Sequence, residues 1–349
     1  MNRLKHSHAL GVEKPSLHAP YGLYHPALPD LGSTHLDFSS GGYTGTLPPS
    51  WSALSSLQSL IITNNPALSG TLPEAWSLMT QLTLLSLVNN NFSGTLPSAW
   101  SEFPKLKSLI VNNNTLSGTL PEAWSGLSKL QELGLAYNHF SGPLPAAWKH
   151  LSRMLNLFLD NNTLSGTLPE AWSKLTNLHA LTINSNPLSG TLPVAWSRLS
   201  NLLELGLSYN DFSGTLPEAW SRLTKLYEVV LSGNKFSGTL PDAWSHVDHI
   251  HALYLNNNTL YGTLPDAWSH MRKLQYLDLS GNTLSGTLPA AWTALNHLYS
   301  FSINGNQGVC GAMPSGTLNE SLTSSAGTML GHACPPPYPS PAPAGMQAA

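Results

Sequence analysis

Apolar and polar positions along this chain repeat as a block rather than with a simple helical or strand period. One block, residues 118–140, reads GTLPEAWSGLSKLQELGLAYNHF. Within it Leu130, Leu133 and Leu135 alternate with polar positions up to Asn138, and Phe140 follows. Trp marks the block at 51, 76, 100, 124, 148, 172, 196, 220, 244, 268 and 292. Every interval is 24 residues except the first, which is 25 because Pro66-Ala67 adds a residue between Asn65 and Leu68. A fixed period in this range specifies stacked copies of one small unit. The alternation at 133–135 predicts one short strand per block, paired with its neighbours in a single parallel sheet at ~4.8 Å spacing. Twelve such strands, from residues 36–38 to 301–303, predict a solenoid on the order of 60 Å long. Thr-Leu before each Pro predicts a short strand on another side. The density of Gly and Pro opposes long α-helices and favours 3₁₀ turns between.

The motif L-x-x-L-x-L-x-x-N, followed by SG-x-(I/L)-P, carries a family resemblance. The chain resembles leucine-rich repeat proteins of the plant-type, 24-residue class over roughly residues 33–310. Trp stands where those repeats usually carry Leu, and the GTLP-x-x-W variant resembles repeats of green-algal and kinetoplastid surface proteins. The resemblance implies an α/β-type repeat solenoid, a horseshoe with a parallel concave β-sheet and a 3₁₀ or irregular convex side. The recurring Asn (65, 90, 114 and onward to 306) is then a ladder residue that bonds backbone groups of adjacent coils.

The expected organisation is an irregular N-terminal segment or cap at 1–32, the solenoid at 33–309, a C-terminal cap at 310–334 and a Pro-rich tail at 335–349. The first segment carries Pro15, Pro20, Pro26 and Pro29 and no charged-then-apolar leader, and it lacks the Cys pair that closes plant-type N-terminal caps. NQGVCGAMP resembles the family's closing cap. Cys310 and Cys334, the only cysteines, bracket it and fit a disulfide better than free thiols. PPPYPSPAPAG beyond them reads as an extended spacer.

Composition narrows the function. Among 349 residues there are 15 Lys or Arg against 18 Asp or Glu, a net charge of −3, too sparse and balanced for a nucleic-acid binder. No apolar run reaches the ~20 residues of a membrane-spanning helix. There is no Gly-rich phosphate loop, no HExxH, no GxSxG elbow and no kinase motif set, so neither catalysis nor a cofactor is expected.

The Trp column could be a sugar platform, but strict spacing between Pro-x-Ala and Ser-x-Leu places it in the core. Acids two residues before Trp (Glu74, Glu122, Glu170, Glu218, Asp242, Asp266) and bases two after (Lys174, Arg198, Arg222, His246, His270) predict parallel stripes. Pairs four apart, such as Glu170 with Lys174 and Glu218 with Arg222, predict local compensation rather than a polyanion track. His246, Asp248, His249 and His251 cluster in sequence, but they fall on both turn and strand, against convergence on zinc.

The concave face is where this architecture offers a binding surface. Its positions predict a neutral floor in the first half and aromatics toward the C-terminal end: Tyr227, Tyr254, Tyr276 and Tyr299, with Glu228, His251 and Asp278 beside them. Aligned over four adjacent strands, these residues are the candidate ligand site. Tyr137 and Tyr209, just before the ladder Asn, are expected to be structural. Sequons occur at Asn91, Asn113, Asn161, Asn257 and Asn319, and glycans there would decorate the rim of the concave face. The expected function is non-enzymatic recognition of a protein, peptide or cell-wall glycan, receptor-like or related to defence signalling. Two alternatives are inhibition of a wall-degrading glycosidase and a structural wall, surface or cytoskeletal scaffold. The sequons, cysteines and tail point to an extracellular, cell-wall or cell-surface setting. The absent leader points instead to a cytoplasmic or ciliary one, where related algal repeat proteins serve as scaffolds.

Overall fold

The computed structural model describes residues 29–335, apart from 314, 317 and 319–321. The N-terminal segment up to residue 28, Asn319 and the tail from residue 336 therefore lie outside the described residues. Within them each block folds as one coil: a three-residue strand, a turn at the ladder Asn, a second strand, and a five-residue 3₁₀ helix that carries the Trp. The first strands form a 13-stranded, wholly parallel sheet in chain order, beginning at His35–Asp37. Twelve come from the repeats. The thirteenth, Leu322–Ser324, follows the last repeat and pairs with Ser300–Ser302 through a register shift. The second strands form sheets of nine and four members. The inserted Pro66-Ala67 is absorbed there, as a register shift between Asn65 and Ser69 against the following strand.

The core is a continuous column of Leu, Phe and Trp between the two faces. All eleven Trp side chains are buried, and successive rings stack nearly parallel, for example Trp148, Trp172 and Trp196 at centroid distances of 6.3 and 6.4 Å. A buried indole must also place its N–H. Trp172 Nε1 donates to the Pro145 carbonyl of the preceding repeat at 3.0 Å, and that carbonyl also accepts the Trp148 backbone N–H at 3.1 Å. One Pro oxygen thus closes its own 3₁₀ turn and fastens the next coil, using both lone pairs. The bond recurs from Trp76 to Trp292. Trp51 Nε1 has no partner among the described residues.

The ladder Asn does the same work on the other flank. Asn138 donates to the carbonyls of Val111, one coil back, and of Leu135 and Ala136, and accepts from the Leu116 N–H. Most coils turn tightly at Ser-Gly-Thr, and the turn depends on its glycine. Gly118 has φ +80°, and a Cβ there would sit 2.7 Å from Cγ2 of Thr95 in the preceding coil. At the C-terminal end Cys310 and Cys334 form a disulfide. No helix among the described residues is long and apolar enough to cross a membrane.

Candidate functional site

Among the described residues no element lies over the concave sheet, and strand register decides which of its side chains meet. The candidate residues occupy three different rows. Glu228 aligns with Ala252, Tyr276 and Ser300, while Val230 aligns with Tyr254, Asp278 and Ser302. The row one residue earlier holds Tyr227, His251, Gln275 and Tyr299, linked by backbone bonds His251 N–H to Tyr227 O and Tyr299 N–H to Gln275 O. The four tyrosines therefore do not form a single file, contrary to the expectation of alignment. They make two ring pairs: Tyr227 stacks on His251 at 4.1 Å, and Tyr276 meets Tyr299 edge-on at 5.7 Å. Tyr227, Tyr276 and Tyr299 remain exposed, Tyr299 at 74%. Tyr254 is half-buried between the pairs, and burial, then Glu228, Tyr276 and Asp278, hold its phenol above the ordinary tyrosine value.

Charge on this floor is one-sided. Beyond Lys107 the concave strands and the residues just after them carry Glu132, Asp160, Glu204, Glu228 and Asp278 and no Lys or Arg. The neutral first half expected from the sequence is thus interrupted by Asp37, Lys107, Glu132 and Asp160. Some carboxylates are anchored: Asp160 accepts from the Asn184 backbone and side-chain amides and from the Thr182 hydroxyl, and Asp278 accepts from Ser280 N–H and Oγ. Glu204 lies directly across from Glu228 on the next strand. Desolvation, then Glu228 and Asp160, hold its carboxyl above the ordinary carboxylate range. The folded state consequently keeps a proton that the unfolded chain has released, so stability falls as pH rises through that window. Glu204→Gln is expected to remove this dependence. In thermal melts it should be more stable than wild type at neutral pH and show no gain below the ordinary carboxylate range; equal melting shifts at both pH values would exclude the coupling.

Several other sequence expectations resolve geometrically. Tyr137 and Tyr209 sit at left-handed backbone positions (φ 58° and 53°) with more than half of each side chain exposed, so they are not core residues. The Tyr209 ring instead lies over Gly233, where a Cβ would approach it to 2.7 Å. His246 Nδ1 faces the Ala243 carbonyl, His249 pairs with Asp248, and His251 stacks on Tyr227. Among the described residues no three metal-capable side chains converge. Asn113 and Asn257 are exposed at the turn beside the concave sheet, and Asn161 is half-buried there. Asn91 is exposed just past its ladder Asn, and the Asn113 amide donates to Asn89 Oδ1 at 2.7 Å.

The expected acid–base compensation is absent. The ion pairs present among the described residues are Lys235–Asp211 and His249–Asp248; Glu170–Lys174 and Glu218–Arg222 are not among them. The reason is the helix type. Both pairs bracket five-residue 3₁₀ helices, Glu170–Lys174 and Glu218–Arg222. With about three residues per turn, positions four apart point roughly a third of a turn away from each other. The pairing rule applies to α-helices.

Comparison with known proteins agrees with this architecture. A family model described as leucine rich repeat matches residues 80–140, 176–236 and 248–307, just over half of the chain. No curated protein sequence matches it. Among solved structures, the chain is similar to the Arabidopsis receptor kinase HAESA, in complex with the peptide hormone IDA and the co-receptor SERK1. Identity there is 30% and the TM-score 0.77, over 86% of this chain and 55% of that one. It is likewise similar to PEPR1 in the PEPR1-AtPEP1 structure (29%, TM-score 0.76, 85% of this chain and 45% of that one). A TDR receptor matches at 29% with a TM-score of 0.75, over 85% of this chain and 55% of that one. The chain thus spans about half the length of these receptor chains.

Proposed function

Because the chain belongs to the leucine-rich repeat family, we propose that it is a non-enzymatic recognition module whose concave sheet takes an extended peptide or a protein loop. The observation that carries this reading is the pair of ring contacts, Tyr227 with His251 and Tyr276 with Tyr299, standing exposed on a sheet face that no other described element covers. Tyr offers apolar area and a hydroxyl with little rotamer freedom to lose, and the solenoid beneath is rigid, so ordering costs on binding are small. Glu228 and Asp278 beside the rings, with no Lys or Arg near them on the floor, favour a ligand that brings its own cations. The similar HAESA structure holds a peptide hormone, which supports a peptide-like ligand here. That similarity and the Cys310–Cys334 disulfide also support an extracellular setting, in which glycans would occupy Asn91, Asn161 and Asn257 more readily than the hydrogen-bonded Asn113.

Affinity capture from the native source tests this reading. The wild-type chain is expected to retain a peptide or protein that the double variant Tyr227→Ala/Tyr276→Ala loses, while both chains melt at the same temperature. Equal capture by the double variant would remove the aromatic anchors from the proposal.

A further inference from the structure

Basic residues are not spread over this solenoid. Twelve Lys or Arg fall among the described residues, and ten of them lie on one longitudinal edge, between the last two residues of each 3₁₀ helix and the Leu or Met that leads into the concave strand. Lys107 is on the concave floor, and Lys235 lies past a ladder Asn, paired with Asp211. Lys105, Lys129, Arg153, Lys174, Arg198 and Lys225 place at least one exposed cation on this edge in each of six successive coils. At ~4.8 Å per coil, the row runs for roughly 24 Å. None of the ten has an ion-pair partner among the described residues; Lys105 and Lys225 donate instead to the neutral oxygens of Gln81 and Asn201. Glu102 and Asp248 are the only carboxylates on the edge among those residues, and Asp248 is taken by His249.

Carboxylates border the row on both sides. Glu122, Glu170 and Glu218 open the 3₁₀ helices behind it, and Glu132, Asp160 and Glu204 stand on the floor in front. The positive potential is therefore a narrow strip along the solenoid axis. We propose that this edge binds a linear anionic polysaccharide laid along the solenoid, with the cations of successive coils meeting carboxylate or sulfate groups on successive sugars. A pyranose unit is comparable in length to one coil spacing of ~4.8 Å, so a rigid row of one cation per coil stays near register with such a chain. A nucleic-acid duplex or a bilayer surface is broad enough to meet the flanking carboxylates as well, which opposes it. The assignment is independent of the ligand of the concave face.

The test uses the intact chain and four probes: polygalacturonate, dextran sulfate, neutral dextran and a short DNA duplex. At least one of the two anionic polysaccharides is expected to bind, and to weaken as salt rises, while neutral dextran does not. The tighter of the two identifies the anion as carboxylate or sulfate. Arg153→Gln/Arg198→Gln/Lys225→Gln should lose about tenfold in affinity, Lys235→Gln should lose none, and both should melt like wild type. Three results would each overturn the proposal. They are tighter binding of the duplex than of either polysaccharide, no binding of either above dextran, and equal losses in the triple variant and Lys235→Gln. A surviving concave-face capture in the triple variant keeps the two surfaces distinct.

Discussion

Replacing Trp172 with alanine is expected to lower the unfolding free energy by about 3–5 kcal/mol. The side chain is fully buried and stacked between Trp148 and Trp196. Its removal opens a cavity that neighbouring coils cannot close, because each is held in register by its own strand and turn. The substitution also leaves the Pro145 carbonyl without the indole N–H that it accepts. In a solenoid the loss falls on nearest-neighbour coupling, so the middle of the stack is the sensitive place to make it. Denaturant unfolding followed by circular dichroism should show an earlier midpoint and, if the two halves uncouple, a broader transition. Trp172→Phe separates the contributions. It retains much of the apolar volume, loses the hydrogen bond, and should fall between wild type and alanine. An alanine variant within 1 kcal/mol of wild type would mean that the Trp column fills space without fastening the coils.

Two surfaces emerge from one scaffold because the coil constrains different positions unequally. Leu133, Trp124 and Asn138 face inward or bond backbone, and the same residue types must recur in every repeat. Positions such as 204, 228 and 276 on the floor, or 153 and 225 on the edge, lie outside the inward-facing core and are free to differ. This division explains what was legible beforehand. The Trp period and the parallel sheet follow from inward residues and could be read directly, as could the 3₁₀ side from Gly and Pro density and the Cys pairing from there being only two cysteines. The indole bond to Pro was missed, although Pro stands three residues before every Trp; the spacing was visible, but its partner lies one coil away. The Tyr rows were also readable in principle. Tyr227 and Tyr299 precede their ladder Asn by seven residues, Tyr276 by six and Tyr254 by four, and those offsets fix three rows rather than one. The ion pairs were misread for a different reason. A four-residue spacing carries meaning only once the helix type is known, and Gly-Pro density already favoured 3₁₀. Ligand identity was never encoded in the period, because surface positions tolerate any side chain that leaves the coil intact.

Asn138→Asp is expected to be the most damaging conservative change in the stack, at about 3–5 kcal/mol near neutral pH. The ladder amide works through its polarity as well as its shape. Its oxygen accepts the Leu116 N–H at 3.1 Å, and its nitrogen donates to the carbonyls of Val111, Leu135 and Ala136 at 3.1–3.2 Å. A carboxylate keeps the first bond but turns an acceptor oxygen toward three carbonyls, in a site that leaves only 5% of the residue exposed. Desolvation and that repulsion both disfavour the charged form, so the introduced carboxyl should titrate above the ordinary range. The sign of the pH effect follows. The folded variant holds a proton that the unfolded chain releases, so the defect grows as pH rises through the raised value and shrinks in acid, where the protonated oxygen can donate to one carbonyl. Asn138→Ala strands the Leu116 N–H at roughly 1–3 kcal/mol and takes one donor from three carbonyls that keep another, from the Asn114 and Asn162 amides and the Asn113 N–H; it carries no charge, and its penalty should not vary with pH in this way. Urea titrations of both variants at acidic and neutral pH distinguish the two cases. If the Asp and Ala variants lose equal stability at neutral pH and neither responds to acid, the ladder is held by side-chain shape, and the directed amide donors are not what locks one coil to the next.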